Sequence, residues 1–258
     1  MSWRSFIESA GASDHAVQVY DGVDELTSSV GAYLANGFAA GSPALVVATP
    51  GHRRAFDGEL RARDLDPLDL QERGLLTCRD AEETLATFMH DGRPSPKRFE
   101  ATVGALVDEV ASRFPEQTIR AFGEMVDILW ARESKHAAIE LEELWNELAR
   151  KRRFALLCGY RLDIFDIDVQ TGALPAVFGA HTHARPAHDT SRLADAVDAA
   201  LREAVGPIDA AHIYLDVAEQ PRLRALPRGQ AVLGWLSSGD AALAESVLER
   251  ARRHYASH

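Results

Sequence analysis

The sequence has little of what most often announces a chemistry. It contains two cysteines, Cys78 and Cys158. They form no C-x-x-C pair, which leaves neither a zinc ribbon nor a dithiol redox motif. Both lie in apolar runs, GLLTCRD and FALLCGY, and read as buried reduced thiols. No stretch approaches 18 consecutive apolar residues, so no membrane-spanning helix is expected. The opening MSWRSFIESAGASDH carries no apolar core and no cleavage-like signal, which points to a cytoplasmic protein. Basic residues are outnumbered, 28 against 39 acidic, for a net charge of -11. That balance lacks the electrostatic footprint of a nucleic-acid binder. No G-x-x-x-x-G-K-[ST] phosphate loop, no G-x-G-x-x-G dinucleotide fingerprint, no G-x-S-x-G nucleophile elbow and no H-E-x-x-H metal helix is present. No repeat or low-complexity tract occurs.

What the chain does have is alternation. With 258 residues, 46% of them hydrophobic, it can hold one large domain, or one domain with a smaller appendage. Short apolar runs at HAVQVY (15–20), PALVVAT (43–49), GLLTCRD (74–80), TIRAFGE (118–124) and FALLCGY (154–160) read as strands. The continuous run PALVVAT is what a strand buried on both faces looks like. Amphipathic stretches separate them, including a helix over 137–152 with Ala137, Leu141, Leu144, Trp145 and Leu148 inward. Strand and helix alternate at least five times, which predicts an α/β fold with a mostly parallel central sheet flanked by helices. After Pro186 the pattern turns helical, over 190–205, 228–237 and 240–255. This predicts an N-terminal tail (1–13), an α/β domain (14–187) and a helical C-terminal region (188–258).

On such sheets ligands lie outside the carboxyl ends of the strands. Candidate site residues are therefore sought at Tyr20-Asp21, Glu124 and Tyr160. After the first strand the chain reads YDGVDEL. Asp21, Asp24 and Glu25 stand where a phosphate loop would sit, and three carboxylates there would repel a triphosphate. In FGEMVDILW (122–130), Glu124 falls at a strand end with Asp127 three residues on. The two share a face if a helix begins there, either as helix-end stabilisation or as a polar anchor in the crevice. In FGAHTHARP, His181 and His183 form an H-x-H pair. It reads as loop histidines, as polar groups of a ligand pocket, or as a metal pair needing a third ligand from His15, Glu124 or Asp127. Trp130, Trp145 and Tyr160 fit core packing or an apolar pocket wall.

The order His15-x-x-x-x-Tyr20, PALVVATPGHR (43–53), RAFGEMVDILW (120–130), ELWNEL (143–148), LLCGY (156–160) and a late histidine at 181–183 resembles the MEDS family. These are sensory domains named for methanogens, methylotrophs and a dichloromethane-responsive regulator. The resemblance spans about residues 14–186. It implies a RecA-like core without a working nucleotide site and a role in sensing small molecules, including hydrocarbon derivatives. Such domains accompany kinase, anti-sigma or DNA-binding modules. It also implies His15, Tyr20, Glu124 and His181 as ligand positions, and names no settled ligand or cofactor. No helix-turn-helix precedes residue 14. The C-terminal arginines 222, 224, 228, 250, 252 and 253 are interspersed with acids, which favours a partner-docking or dimerisation surface over direct nucleic-acid binding.

The expected function is a non-catalytic small-molecule sensor or regulator whose ligand contacts His15, Tyr20, Asp21, Glu124, Asp127, Tyr160 and His181. Two readings compete with it. One is a divergent ATPase or a metal-assisted hydrolase using Glu124, Asp127 and the histidines, with His181, His183 and Glu124 as candidate metal ligands. The other is an interaction module for a kinase or anti-sigma partner.

Overall fold

Five apolar runs of the sequence form strands, and period-2 alternation sends their side chains to the two faces of one sheet. They are β1 (His15–Tyr20), β2 (Ala44–Ala48), β3 (Leu76–Asp80), β6 (Ile119–Gly123) and β7 (Phe154–Arg161), and a separate short hairpin of β4 (Met89–His90) and β5 (Arg93–Pro94) lies between β3 and β6 in the chain. A sixth sheet strand, β8 (His183–Arg185), has no apolar run of its own. The sheet order is β3-β2-β6-β7-β1-β8, and every pairing in it is parallel. The computed structural model describes residues 3–20, 22–167, 169–170, 181–185, 190–220, 223 and 226–256, with backbone only at 183–185 and 190. The described residues fall into two compact units. One runs to residue 161 and includes 181–185; the other comprises 162–170 and the helical residues from 190 onward.

In the α/β unit, α1 (Trp3–Ser9), α2 (Val23–Ala39) and α3 (Pro50–Arg61) cover one face. Their Phe6, Leu26, Val30, Tyr33, Phe56 and Leu60 pack on Ala16, Tyr20, Val46, Phe122 and Leu157. Arg120 is buried among them. Its guanidinium donates to the carbonyls of Ile7, Glu8 and Tyr33 at 2.8–3.0 Å, which satisfies carbonyls at the end of α1 that a helix leaves unpaired. Gly37 gives that side chain room, because a Cβ there would stand 2.6 Å from Arg120 Cδ. Leu70 of α4 (Pro67–Glu72) joins the same cluster, and the second face lies under α5 (Ala81–Phe88) and under α6 (Pro96–Phe99), which runs through a π-turn into α7 (Ala105–Arg113). It is completed by α8 (Met125–Ala131) and α9 (Lys135–Lys151). An edge-to-face aromatic series, Phe88–Phe99–Trp145–Phe154, binds these helices to the sheet with centroids 5.3–6.0 Å apart. Trp145 is thus core, as is Tyr160, each 1% exposed.

The topology positions the crevice. From β2 the chain turns outward through α3 to β3, whereas from β6 it turns the other way through α8 and α9 to β7. The carboxyl ends of β2 and β6 are therefore where the connections diverge, the usual ligand position on a parallel sheet. Residues 21 and 22 alone connect β1 to α2, too few to wrap a phosphate chain. Asp24 and Glu25 sit in the first turn of α2, where carboxylates favour the helix dipole. Asp21 lies outside the described residues.

In the helical unit, the helices Thr190–Val205, Pro207–Glu219, Arg228–Gly239 and Ala241–Ala256 enclose Leu193, Val197, Leu201, Val232, Leu233 and Val247. Phe165 and Ile167 pack against the same core. Its arginines are spoken for within the unit: Arg228 by Asp198, Arg250 by Glu203 and Arg252 by Asp163. Arg222 and Arg224 lie outside the described residues. Among the described residues, no helix is long and apolar enough to cross a membrane.

Candidate functional site

The sequence-predicted residues separate into two polar clusters. Strand alternation explains the separation: His15 and Tyr20 are five positions apart on β1, so their side chains leave opposite faces.

The first cluster lies at the strand ends. Glu124 follows β6 directly and occupies the N-cap position of α8, yet its side chain makes no capping bond. It instead crosses to the neighbouring strand end. Thr49 N–H donates to Glu124 Oε1, and His52 Nδ1 pairs with Oε2. Asp127, in the first turn of α8, accepts from Arg161 N–H at 2.8 Å and from the Tyr20 hydroxyl at 3.4 Å. Tyr20 meets the His52 ring edge-on at 6.0 Å. Four strand ends thus contribute to one cluster, those of β1, β2, β6 and β7. The Glu124 side chain is 2% exposed, whereas that of His52 is 17% exposed and forms its outward side. The hydrogen bond to Glu124 raises the His52 pKa above 6.5. Burial is the main reason Asp127 is pushed up to about 6, and it also raises the Tyr20 phenol.

The second cluster is sealed between α9 and the sheet. His15 opens β1, Cys158 lies inside β7, Glu142 projects from α9, and His181 lies two residues before β8. His15 Nε2 is 3.3 Å from Cys158 Sγ and 3.3 Å from Glu142 Oε2. His181 Nε2 is 3.4 Å from the same oxygen. The two imidazole rings are 4.1 Å apart, centroid to centroid. Thr182 holds the segment in register, since its N–H and hydroxyl both donate to the His15 carbonyl and its Oγ1 accepts from His15 N–H. Asn146 Oδ1 accepts from His15 Nδ1 at 2.9 Å, and the Tyr160 hydroxyl donates to Glu142 Oε1 at 2.7 Å. Burial, then the neighbouring His181, lowers the His15 pKa to about 4. Burial raises Glu142 and Cys158.

Tyr20, Glu124 and Asp127 therefore meet in the first cluster, and His15, Tyr160 and His181 in the second. His183 opens β8, and its side chain lies outside the description. Sequence reasoning missed His52, Glu142 and Asn146, and read Cys158 as packing alone. Of these, only His52 carried a local signal, as the one histidine in the PGHR turn that follows β2. Trp130 is half-buried, edge-on to Tyr160 at 6.2 Å, with the Lys135 ammonium over its ring.

A cleft of about 420 Å³ at the β3 edge is lined in part by Arg53, Asp57, Cys78, Arg79, Glu109 and Arg113. None of the predicted residues that are described lines it. Its arginines are matched by Asp80 and Glu109, so it offers little uncompensated charge. Cys78 is only partly buried there, and burial still raises its thiol to about 11, which keeps it a poor nucleophile.

A family model described as MEDS, the methanogen/methylotroph, DcmR sensory domain, matches residues 14–175. No curated protein matches the chain.

Proposed function

This chain belongs to the MEDS sensory domain family, and from that premise we propose that it is a non-catalytic sensor whose ligand enters the strand-end cluster. One observation carries the reading: Tyr20, His52, Glu124 and Asp127 converge where the connections from β2 and β6 diverge. Two carboxylates, a phenol and an imidazole recognise a small molecule that donates hydrogen bonds, such as a short amine or alcohol. The groups of the cluster pair with one another. A ligand that takes over Asp127 or Glu124 releases Tyr20 or His52, and the difference in contacts is what would bias one conformation over another. The output falls to the helical unit, where Ile208 and Leu215 are exposed at positions that a protein partner or second copy would cover.

The test is thermal unfolding of the full chain with a panel of one- to four-carbon amines and alcohols. At least one compound raises the midpoint of wild type in a concentration-dependent way, and Glu124→Gln and Tyr20→Phe weaken that response. A response that both variants retain in full removes the site, and an inert panel removes the ligand class.

A further inference from the structure

The sealed cluster stands apart from the strand-end reading and has a different chemistry. One donor atom from each of His15, Cys158, Glu142 and His181 lies within 4.8 Å of every other. Tetrahedral coordination with metal–ligand bonds of about 2.0–2.3 Å requires donor atoms about 3.3–3.8 Å apart. Four of the six separations are 3.3, 3.3, 3.4 and 4.0 Å, and the two that join His181 to His15 and to Cys158 are within 4.8 Å, so small side-chain shifts bring the donors to the corners of such a tetrahedron. Supporting contacts aim them inward. With Asn146 Oδ1 accepting from His15 Nδ1, that nitrogen carries the proton and the Nε2 lone pair faces Cys158 and Glu142. The Tyr160 hydroxyl occupies Glu142 Oε1 and leaves Oε2 toward both histidines. Ligating histidines and carboxylates are characteristically oriented by such outer contacts.

We infer that His15, Cys158, Glu142 and His181 form a closed four-ligand site for a divalent transition metal, Zn²⁺ by donor type. Two imidazoles, a thiolate and a carboxylate make a mixed N/S/O set, which suits Zn²⁺ and does not suit Ca²⁺ or Mg²⁺, which take oxygen ligands. All four side chains are buried, with the His15, Glu142 and His181 side chains 0–3% exposed. Four protein ligands leave no open position for a substrate, so the site is structural or regulatory rather than catalytic. It joins β1, β7 and α9 to the segment that leads into β8. An edge strand of three residues without an apolar run would thereby gain an anchor that its own sequence does not supply. Loading the site releases protons, since the thiol must ionise as the metal binds.

The experiment uses the full chain, stripped with a chelator under reducing conditions and titrated with Co²⁺ as the spectroscopic probe, then with Zn²⁺ in competition. One equivalent of Co²⁺ produces a thiolate-to-metal charge-transfer band and the intense visible bands of a tetrahedral centre, and Zn²⁺ bleaches both. Cys158→Ser loses the charge-transfer band. His181→Gln, on a segment outside the central strands, weakens binding at least 100-fold while circular dichroism stays native. Asn146→Ala and Tyr160→Phe weaken it by about 10–100-fold. Glu124→Gln, in the other cluster, binds as wild type does. Absence of the bands in folded wild type overturns the site. Equal binding by wild type, Cys158→Ser and His181→Gln overturns it as well.

Discussion

Two histidines of this protein each face a glutamate, and their pKa values move in opposite directions. His52 pairs with Glu124 at the strand ends and is raised, because the carboxylate's hydrogen bond outweighs a modest loss of solvent. His15 lies beside Glu142 under α9 and is lowered to about 4, because burial and His181 outweigh the carboxylate. The glutamates are equally enclosed, at 2% and 3%, but the histidine side chains are 17% and 2% exposed. A histidine with access to water can be charged by its partner. A histidine without it stays neutral, and the neutral form is the one that ligates a metal. The same residue pair thus serves a ligand-accessible cluster on one side and a sealed donor set on the other.

The largest effect that could break this comparison is removal of each carboxylate. Glu142→Ala takes the acceptor from the Tyr160 hydroxyl and the carboxylate from beside His15 and His181, all away from water, and at about 1–3 kcal/mol for each polar group left unsatisfied should cost about 3–5 kcal/mol in urea unfolding. Glu124→Ala should cost about 1–3 kcal/mol, because His52 can turn to solvent. Equal costs would mean that access to water is not what separates the clusters.

The second effect is a pH dependence. Folded Asp127 holds its proton up to about pH 6, against an ordinary value of 3.8. A raised carboxyl pKa means that the folded state binds the proton more tightly, so Asp127 subtracts stability as pH rises from about 4 to 6. Relative to Asp127→Asn, wild type should lose about 2 kcal/mol across that window. A constant difference between the two proteins would show that Asp127 titrates normally.

Gln18 supplies a third case. It is fully buried on the Tyr20 side of β1, and neither its Oε1 nor its Nε2 has a hydrogen-bond partner among the described residues. Gln18→Leu should therefore stabilise the protein by about 1 kcal/mol or more, and a loss of stability would reveal an unrecognised partner for the amide. The smallest effect belongs to His52→Gln. The raised His52 pKa gives stability that is complete below pH 6.5 and is lost as pH rises through the folded value. The variant should cost about 1 kcal/mol in mildly acidic buffer and less in alkaline buffer, and a pH-independent cost would detach His52 from Glu124.

How far each part could be read from sequence follows from the same physics. PALVVAT and FALLCGY announce a parallel sheet because strands buried on both faces need no polar alternation. Glu124 was visible because it follows such a run. Glu142 was not: α9 also carries Glu140, Glu143 and Glu147, and nothing local distinguishes the one carboxylate turned inward. Leu144, expected inward, is half-buried while Glu142 beside it is buried. Cys158 looked like packing because its strand is apolar throughout, and its neighbours come from β1, α9 and the segment before β8. β8 was invisible because its pairing rests on Thr182 and backbone hydrogen bonds rather than on hydrophobic side chains. Its three residues are too few to show a period.

The most direct test of the division between the clusters is X-ray absorption at the zinc edge on the reconstituted full chain, with Glu124→Gln measured in parallel. Both proteins should show one sulfur at about 2.3 Å and three nitrogen or oxygen ligands at about 2.0–2.1 Å. A zinc shell without sulfur, or one altered by Glu124→Gln, would contradict it.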